Sequence, residues 1–185
     1  SKEKDQRENI GGGWHTDHSY DHVPAMGSIL VARELPAEGG NTLFASMYAA
    51  YDALSAGFQR MLLSLSAVHS AQHVFGEGPN THYAKTDAGG TRIGNPEAAR
   101  GLTDPVHPVV ITHPLSGKKA LYVNPGFTVR FDGWTTGESR PLLEQIYAHC
   151  MRREFIHEFE WRPGSIAFWD NRATWHFAKN DYHGH

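Results

Sequence analysis

"RPGSIAFWDNRATWHFA", residues 162–178, is the stretch that decides the fold. Pro163 and Gly164 supply a turn, "SIAFW" a β-rich run, Asp170 and Asn171 a second turn, and "ATWHFA" another strand. Working outward, "FIHEFEW" (155–161) alternates with period two, and "VHPVVITHP" (106–114), the turn "LSGKK" (115–119) and "ALYVN" (120–124) read as a hairpin. Nearer the start, "GSILVAREL" (27–35) carries a short apolar run. "PAEGGNTLFAS" (36–46) reads as a turn punctuated by Gly39 and Gly40, then a strand. Helical spacing is confined to "MYAAYDALS" (47–55) with Ser46 as its cap, "GFQRMLLSLSAV" (57–68), and "ESRPLLEQIYAHCMRR" (138–153), whose final arginines suit the helix dipole. Many short strands with a few outer helices predict a mainly β fold of the sandwich or jelly-roll kind. Residues 71–104, rich in Gly, Pro, Asn and Thr, are too long for a simple connection and read as a lid or a stretch without order.

The bulk properties narrow the function. The 185 residues suit a single soluble domain (1–185) with a real core, and a net charge of −3 with dispersed Lys and Arg offers no stripe for nucleic acid. No apolar run approaches the roughly 18 residues of a membrane span. Cys150 is alone, which excludes an internal disulfide, reads as a buried helix thiol and fits a cytoplasmic location. The opening "SKEKDQREN", with neither Met nor an apolar leader, predicts that the chain is incomplete at its start.

Thirteen histidines are many for this length, and "GGGWHTDHSYDH" (11–22) crowds three of them beside two aspartates. In an extended segment His15 and Asp17 project to one face while Thr16 and His18 project to the other. The strongest candidate for a third ligand is His176. Two imidazoles and a carboxylate on one face of an octahedron suit non-haem Fe(II), because three positions stay open. H-x-D alone is a weak signal, and a polar loop is the competing reading.

The segments "WHTDHSYDHVPAMGSILVARELPAEGGNTLFAS", "THPLSGKKALYVNPGFT" and "PGSIAFWDNRATWHFAKNDY" resemble, in order and spacing, the taurine dioxygenase (TauD/TfdA) family of Fe(II)- and 2-oxoglutarate-dependent dioxygenases. The resemblance runs from Trp14 onward and is weakest between His69 and Asp104. It implies a double-stranded β-helix, or jelly roll, with His15, Asp17 and His176 as iron ligands, Thr42 bonded to a carboxylate of 2-oxoglutarate, and Trp169 lining the metal pocket. It also implies O2 and a small, anionic organic acid as reaction partners, with succinate and CO2 released. Asp17 in the ligand set favours hydroxylation over halogenation. The family holds the far carboxylate of 2-oxoglutarate with an arginine beyond the last histidine, and this sequence stops at His185 before that position. The expectation is that residues present in the natural protein are missing at both ends.

Two alternatives stand beside the oxygenase. One is a cupin-like zinc or nickel protein without redox chemistry, using the same three ligands; the other is a truncated metal-binding jelly roll without turnover. Homo-oligomerisation is open. Elsewhere the plain readings lead. His18, His22, His69, His73 and His82 read as solvated loop histidines, and His183 and His185 as tail residues. Arg172 reads as bracing a tight turn through backbone carbonyls. Tyr122 and Asn124 read as packing residues, and Trp14, Trp161 and Trp175 as core aromatics.

Overall fold

In a computed structural model, residues 12–76 and 104–182 are described. Their strands are β1 (Gly27–Val31), β2 (Thr42–Ser46), β3 (Ser66–His69), β4 (Val106–Pro108), β5 (Val110–Thr112), β6 (Lys119–Leu121), β7 (Thr128–Phe131), β8 (Ile156–Phe159), β9 (Ile166–Asp170) and β10 (Thr174–Ala178). The helices are α1 (Met47–Asp52), α2 (Ala56–Leu62), α3 (Gln72–Phe75) and α4 (Thr136–Cys150), with a 3-10 turn at Arg153–Phe155. Every pairing is antiparallel, in the orders β1-β9, β10-β2-β8, β4-β3-β7 and β5-β6. The last strands therefore return to lie beside the first, as a jelly roll requires and a meander does not.

Local sequence explains most of these elements. Gly39 and Gly40 adopt φ of 76° and 74°, a region closed to most side chains, and turn the chain into β2. The Ser46 hydroxyl accepts from the Ala49 N–H and starts α1, while Thr135 and Glu138 form a capping box on α4. The Pro-Gly and Asp-Asn turns bound β9 as predicted. Cys150 is fully buried in α4, and burial pushes its thiol well above the ordinary range.

Three expectations are corrected. The helical spacing of residues 57–68 ends at Leu62, because the Ser64 hydroxyl bonds back to the Met61 carbonyl and Ser66–His69 pairs instead with β4 and β7. The final arginines at 152 and 153 lie beyond α4, leaving His149 as the basic residue of its last turn. The predicted hairpin exists as β5 and β6, but "VHP" breaks away to pair with β3. Val109 lies between the two, its N–H donating to Leu65 and its carbonyl accepting from Tyr122. Within residues 71–104, α3 is ordered helix, and the rest of the expected lid, residues 77–103, lies outside the described residues.

The core gathers Trp175, Met47, Leu62, Leu121, Phe131 and Ile146. Burying an aliphatic or Phe side chain of this kind contributes roughly 1.5–3 kcal/mol. Pleating alternates faces along β10, so Trp175, 1% exposed and edge-on to Tyr147, enters the core, while His176 looks the other way. That alternation, fixed by the pairings of Trp175 with Ala45 and His176 with Phe44, delivers the histidine to the site.

Candidate metal centre

The structure brings His15, Asp17 and His176 together: one ligand-type atom from each lies within 4.8 Å of the others. Asp17 Oδ1 is 3.4 Å from His15 Nε2 and 3.5 Å from His176 Nε2, and the two imidazole centroids are 4.1 Å apart.

Backbone pairing sets the first contact. His15 and His176 exchange both main-chain hydrogen bonds, His15 N–H to His176 at 3.2 Å and the reverse at 2.9 Å, across a sequence separation of 161 residues, the difference of the two numbers. His15 Nδ1 donates to the Gly13 carbonyl at 2.7 Å, which leaves the Nε2 lone pair facing the cluster. Gly126 permits this placement, since a Cβ there would lie 2.7 Å from the His15 Cβ. The Phe127 ring meets His15 edge-on at 6.0 Å and packs with Tyr20 and Phe75.

Asp17 does not sit on a strand. The extended segment ends at Thr16, whose hydroxyl lies 2.8 Å from the Asn171 carbonyl and 2.6 Å from the Thr174 carbonyl, and the chain then turns through His18 at φ 57°. The predicted convergence of residues 15 and 17 is present, but a turn completes it. Asp17 Oδ2 accepts from the Ser28 hydroxyl at 2.6 Å, and Ser28 Oγ accepts from Asn171 Nδ2 at 3.0 Å.

The charges match metal binding. Burial alone would raise the Asp17 carboxyl, but the His15 contact, His176 and Ser28 outweigh it and hold it well below the usual carboxylate range. Burial pushes His176 down to about 3, with His15 adding to the shift and Asp17 opposing it. At neutral pH the site therefore presents a neutral imidazole and an ionised carboxylate, the forms that ligate. Two nitrogens and one oxygen suit Fe(II), and the donor set fits the ion that the resemblance implies.

The remaining residues sort clearly. Thr42 is buried on β2, paired with Ala178 and Phe159, and its hydroxyl accepts from Trp161 Nε1 at 3.0 Å. Trp169 lies 5.0 Å from the His176 ring and 5.2 Å from Phe44, and its indole N–H is buried with no partner among the described residues. Trp161 is therefore more than a packing residue. Trp175 is core, and Trp14 packs against that core and Phe177.

His22 is exposed as expected; His73 is exposed but sits on α3, not in a loop, with its Nε2 bonded to the Gly126 carbonyl at 2.8 Å, and His18 pairs with Asp21 at 2.8 Å. His69 is a correction: it is fully buried on β3 beside His107 and Tyr122, and burial pushes it down to about 3. Arg172 is another: it grips the Asp170 carboxylate with Nε at 2.8 Å and a terminal nitrogen at 2.6 Å, not backbone carbonyls. His113 Nε2 approaches the same carboxylate at 2.9 Å. Asn124 is a packing residue with a bracing role, bonded to Ser19 and the Phe127 N–H. His82, His183 and His185 lie outside the described residues.

Sequence reasoning missed Ser28, Asn171, Gly126 and Phe127. The available signals were a lone hydroxyl in the apolar run "GSILV" and a glycine before an aromatic in "NPGFT".

Comparison with known proteins bears on the family and the fold. The chain is 33% identical over 171 residues to the alpha-ketoglutarate-dependent sulfate ester dioxygenase of Pseudomonas putida, covering 91% of this chain and 54% of that protein. It is 34% identical over 179 residues to the alpha-ketoglutarate-dependent 2,4-dichlorophenoxyacetate dioxygenase of Cupriavidus pinatubonensis, covering 94% and 58%. Among solved structures it superposes on AAD-2 in complex with Mn(II) and N-oxalylglycine with a TM-score of 0.74 at 31% identity, covering 93% and 62% of the two chains. The chain thus spans little more than half the length of these relatives. The jelly-roll class is shared with them, and residues 1–185 match throughout the family described as taurine catabolism dioxygenase TauD, TfdA. Coverage of the whole sequence, identities above 30% and a common fold together establish that this chain belongs to the TauD/TfdA family.

Proposed function

We propose that the protein is an Fe(II)- and 2-oxoglutarate-dependent dioxygenase that hydroxylates a small organic acid, releasing succinate and CO2. The observation that carries this reading is the convergence of His15, Asp17 and His176 within 4.8 Å in a chain of this family. Its named relatives act on a sulfate ester and on an aryloxyacetate, which supports an anionic substrate and the oxygenase over a zinc or nickel alternative.

When bound, Fe(II) would supply the activation of O2, chemistry that no amino-acid side chain provides. The chain's part is geometric. His15 Nε2, His176 Nε2 and Asp17 Oδ1 would hold the ion from one side and leave the opposite side to co-substrate and O2. Thr42 accepts from Trp161, so its own proton is free to donate to a carboxylate of 2-oxoglutarate. Trp169 and Phe44 wall the His176 side, and Phe127 walls the His15 side. These rings exclude water and aim the substrate C–H bond. A hydroxylated carbon bearing an ether or sulfate oxygen would collapse to a carbonyl and release the rest of the molecule.

The test is anaerobic Fe(II) loading of the full natural chain, followed by 2-oxoglutarate, then aerobic assay with a panel of sulfonates, sulfate esters and aryloxyalkanoates. A visible charge-transfer band and substrate-stimulated succinate are expected. A site that prefers zinc and shows neither overturns the proposal.

A further inference from the structure

We infer that Ser28 and Asn171 form a donor relay that fixes which oxygen of Asp17 faces the metal, making them positioning residues for one-oxygen ligation. The inference rests on the metal-centre reading and adds two residues to it. Proton bookkeeping gives the relay its direction. The Ser28 hydroxyl donates to Asp17 Oδ2 at 2.6 Å, a contact that takes up its single proton. Ser28 Oγ must then be an acceptor toward its other neighbour, and at 3.0 Å Asn171 presents its amide NH2 there. The reverse amide orientation would leave two acceptors contending for one proton.

Asn171 is itself locked. It is 1% exposed, its backbone N–H donates to Met26, and its carbonyl lies within reach of the Thr16 hydroxyl. One asparagine in the turn between β9 and β10 thus reaches two successive residues of the ligand segment: Thr16, whose hydroxyl also lies 2.6 Å from the Thr174 carbonyl, and Asp17 through Ser28. With Oδ2 held by the hydroxyl, Oδ1 is left toward both imidazoles, at 3.4 and 3.5 Å. A carboxylate in a turn, next to a residue at φ 57°, has no strand ladder to set its torsion, so the relay supplies that constraint.

The test titrates Mn(II) and Co(II) into the parent, Ser28→Ala, Ser28→Thr and Asp17→Ala by calorimetry without co-substrate or O2, with infrared carboxylate stretches recorded on the loaded forms. Ser28→Ala is expected to weaken metal binding about 10- to 100-fold and to shift the carboxylate bands toward two-oxygen ligation. Ser28→Thr keeps the hydroxyl and is expected to restore binding to within about threefold of the parent. If Ser28→Ala does not fold, Ser28→Cys, which keeps the side-chain shape but replaces a strong donor by a weak one, is expected to weaken binding in the same direction. Parent-like affinity and unchanged carboxylate bands in Ser28→Ala, beside lost binding in Asp17→Ala, overturn the relay and leave the metal centre standing. Parent-like affinity in Asp17→Ala overturns both.

Discussion

The site is built from two regions that reach one point by different means. His176 sits in the middle of β10, registered against Phe44 on one side and His15 on the other, so main-chain hydrogen bonds alone fix where its ring begins. Asp17 lies past the end of its extended segment, and side chains hold it: Ser28 on its carboxylate and Asn171 behind Ser28. The imidazoles differ in the same sense. His15 anchors its Nδ1 on the Gly13 carbonyl, whereas His176 Nδ1 is buried with no partner among the described residues, its ring held by Trp169 and Phe44. A ligand on a strand needs register and packing, and a ligand in a turn needs hydrogen bonds.

The contrast gives predictions of decreasing size. Asp17→Ala should abolish coupled turnover and weaken metal binding beyond the roughly 100-fold upper end expected for outer partners, with the apo fold intact by circular dichroism. Parent-like turnover would remove Asp17 from the ligand set. Gly126→Ala strikes the strand side of the comparison. Its Cβ would meet the His15 Cβ at 2.7 Å with the Trp14 carbonyl 3.5 Å away, so His15 must move. Overpacking of this kind costs about 1–3 kcal/mol, read as a lower denaturation midpoint, and metal affinity should fall with it. An unchanged midpoint and affinity would show that the close approach does not constrain His15.

Trp161→Phe removes the N–H donated to Thr42 while keeping an aromatic ring. A lost hydrogen bond near 1 kcal/mol corresponds to about a fivefold higher 2-oxoglutarate requirement, with iron binding unaltered. A matching loss of iron affinity would instead place Trp161 in the support of the metal ligands. A separate prediction, on stability and not on ligand affinity, concerns acid. Burial holds His69 at about 3 against an ordinary 6.5, so the unfolded chain takes up the proton first and stability falls as pH drops from 6.5 toward 3. His176 acts in the same window in the metal-free protein. Replacing His69 by Asn should flatten the loss of urea resistance between about pH 7 and about pH 5, and an equal slope would assign that loss to other groups.

How much of this was legible in the sequence follows the same division. β9, β10 and their turns could be read because Pro-Gly and Asp-Asn punctuation is local, and the H-x-D pair could be read because its spacing is short. His176 was legible as a partner only as the best remaining candidate and through family resemblance, since a contact across 161 residues leaves no local trace. The relay was not legible. Ser28 looks like any hydroxyl in "GSILV", and Asn171 looks like any turn asparagine until folding places each beside Asp17. β3 was misread as helix because tertiary pairing with β4 and β7 outweighs a weak periodicity. His69 was misread as a loop residue for the same reason, because burial on a strand came from partners distant in sequence.

X-ray absorption spectroscopy of the anaerobic Fe(II)-loaded full chain counts the imidazoles on the metal. A centre built on His15, Asp17 and His176 predicts a nitrogen and oxygen shell with two imidazoles in the parent, one in His15→Ala and one in His176→Ala. An imidazole count that stays at two in either variant, or a parent that binds no iron, would contradict it.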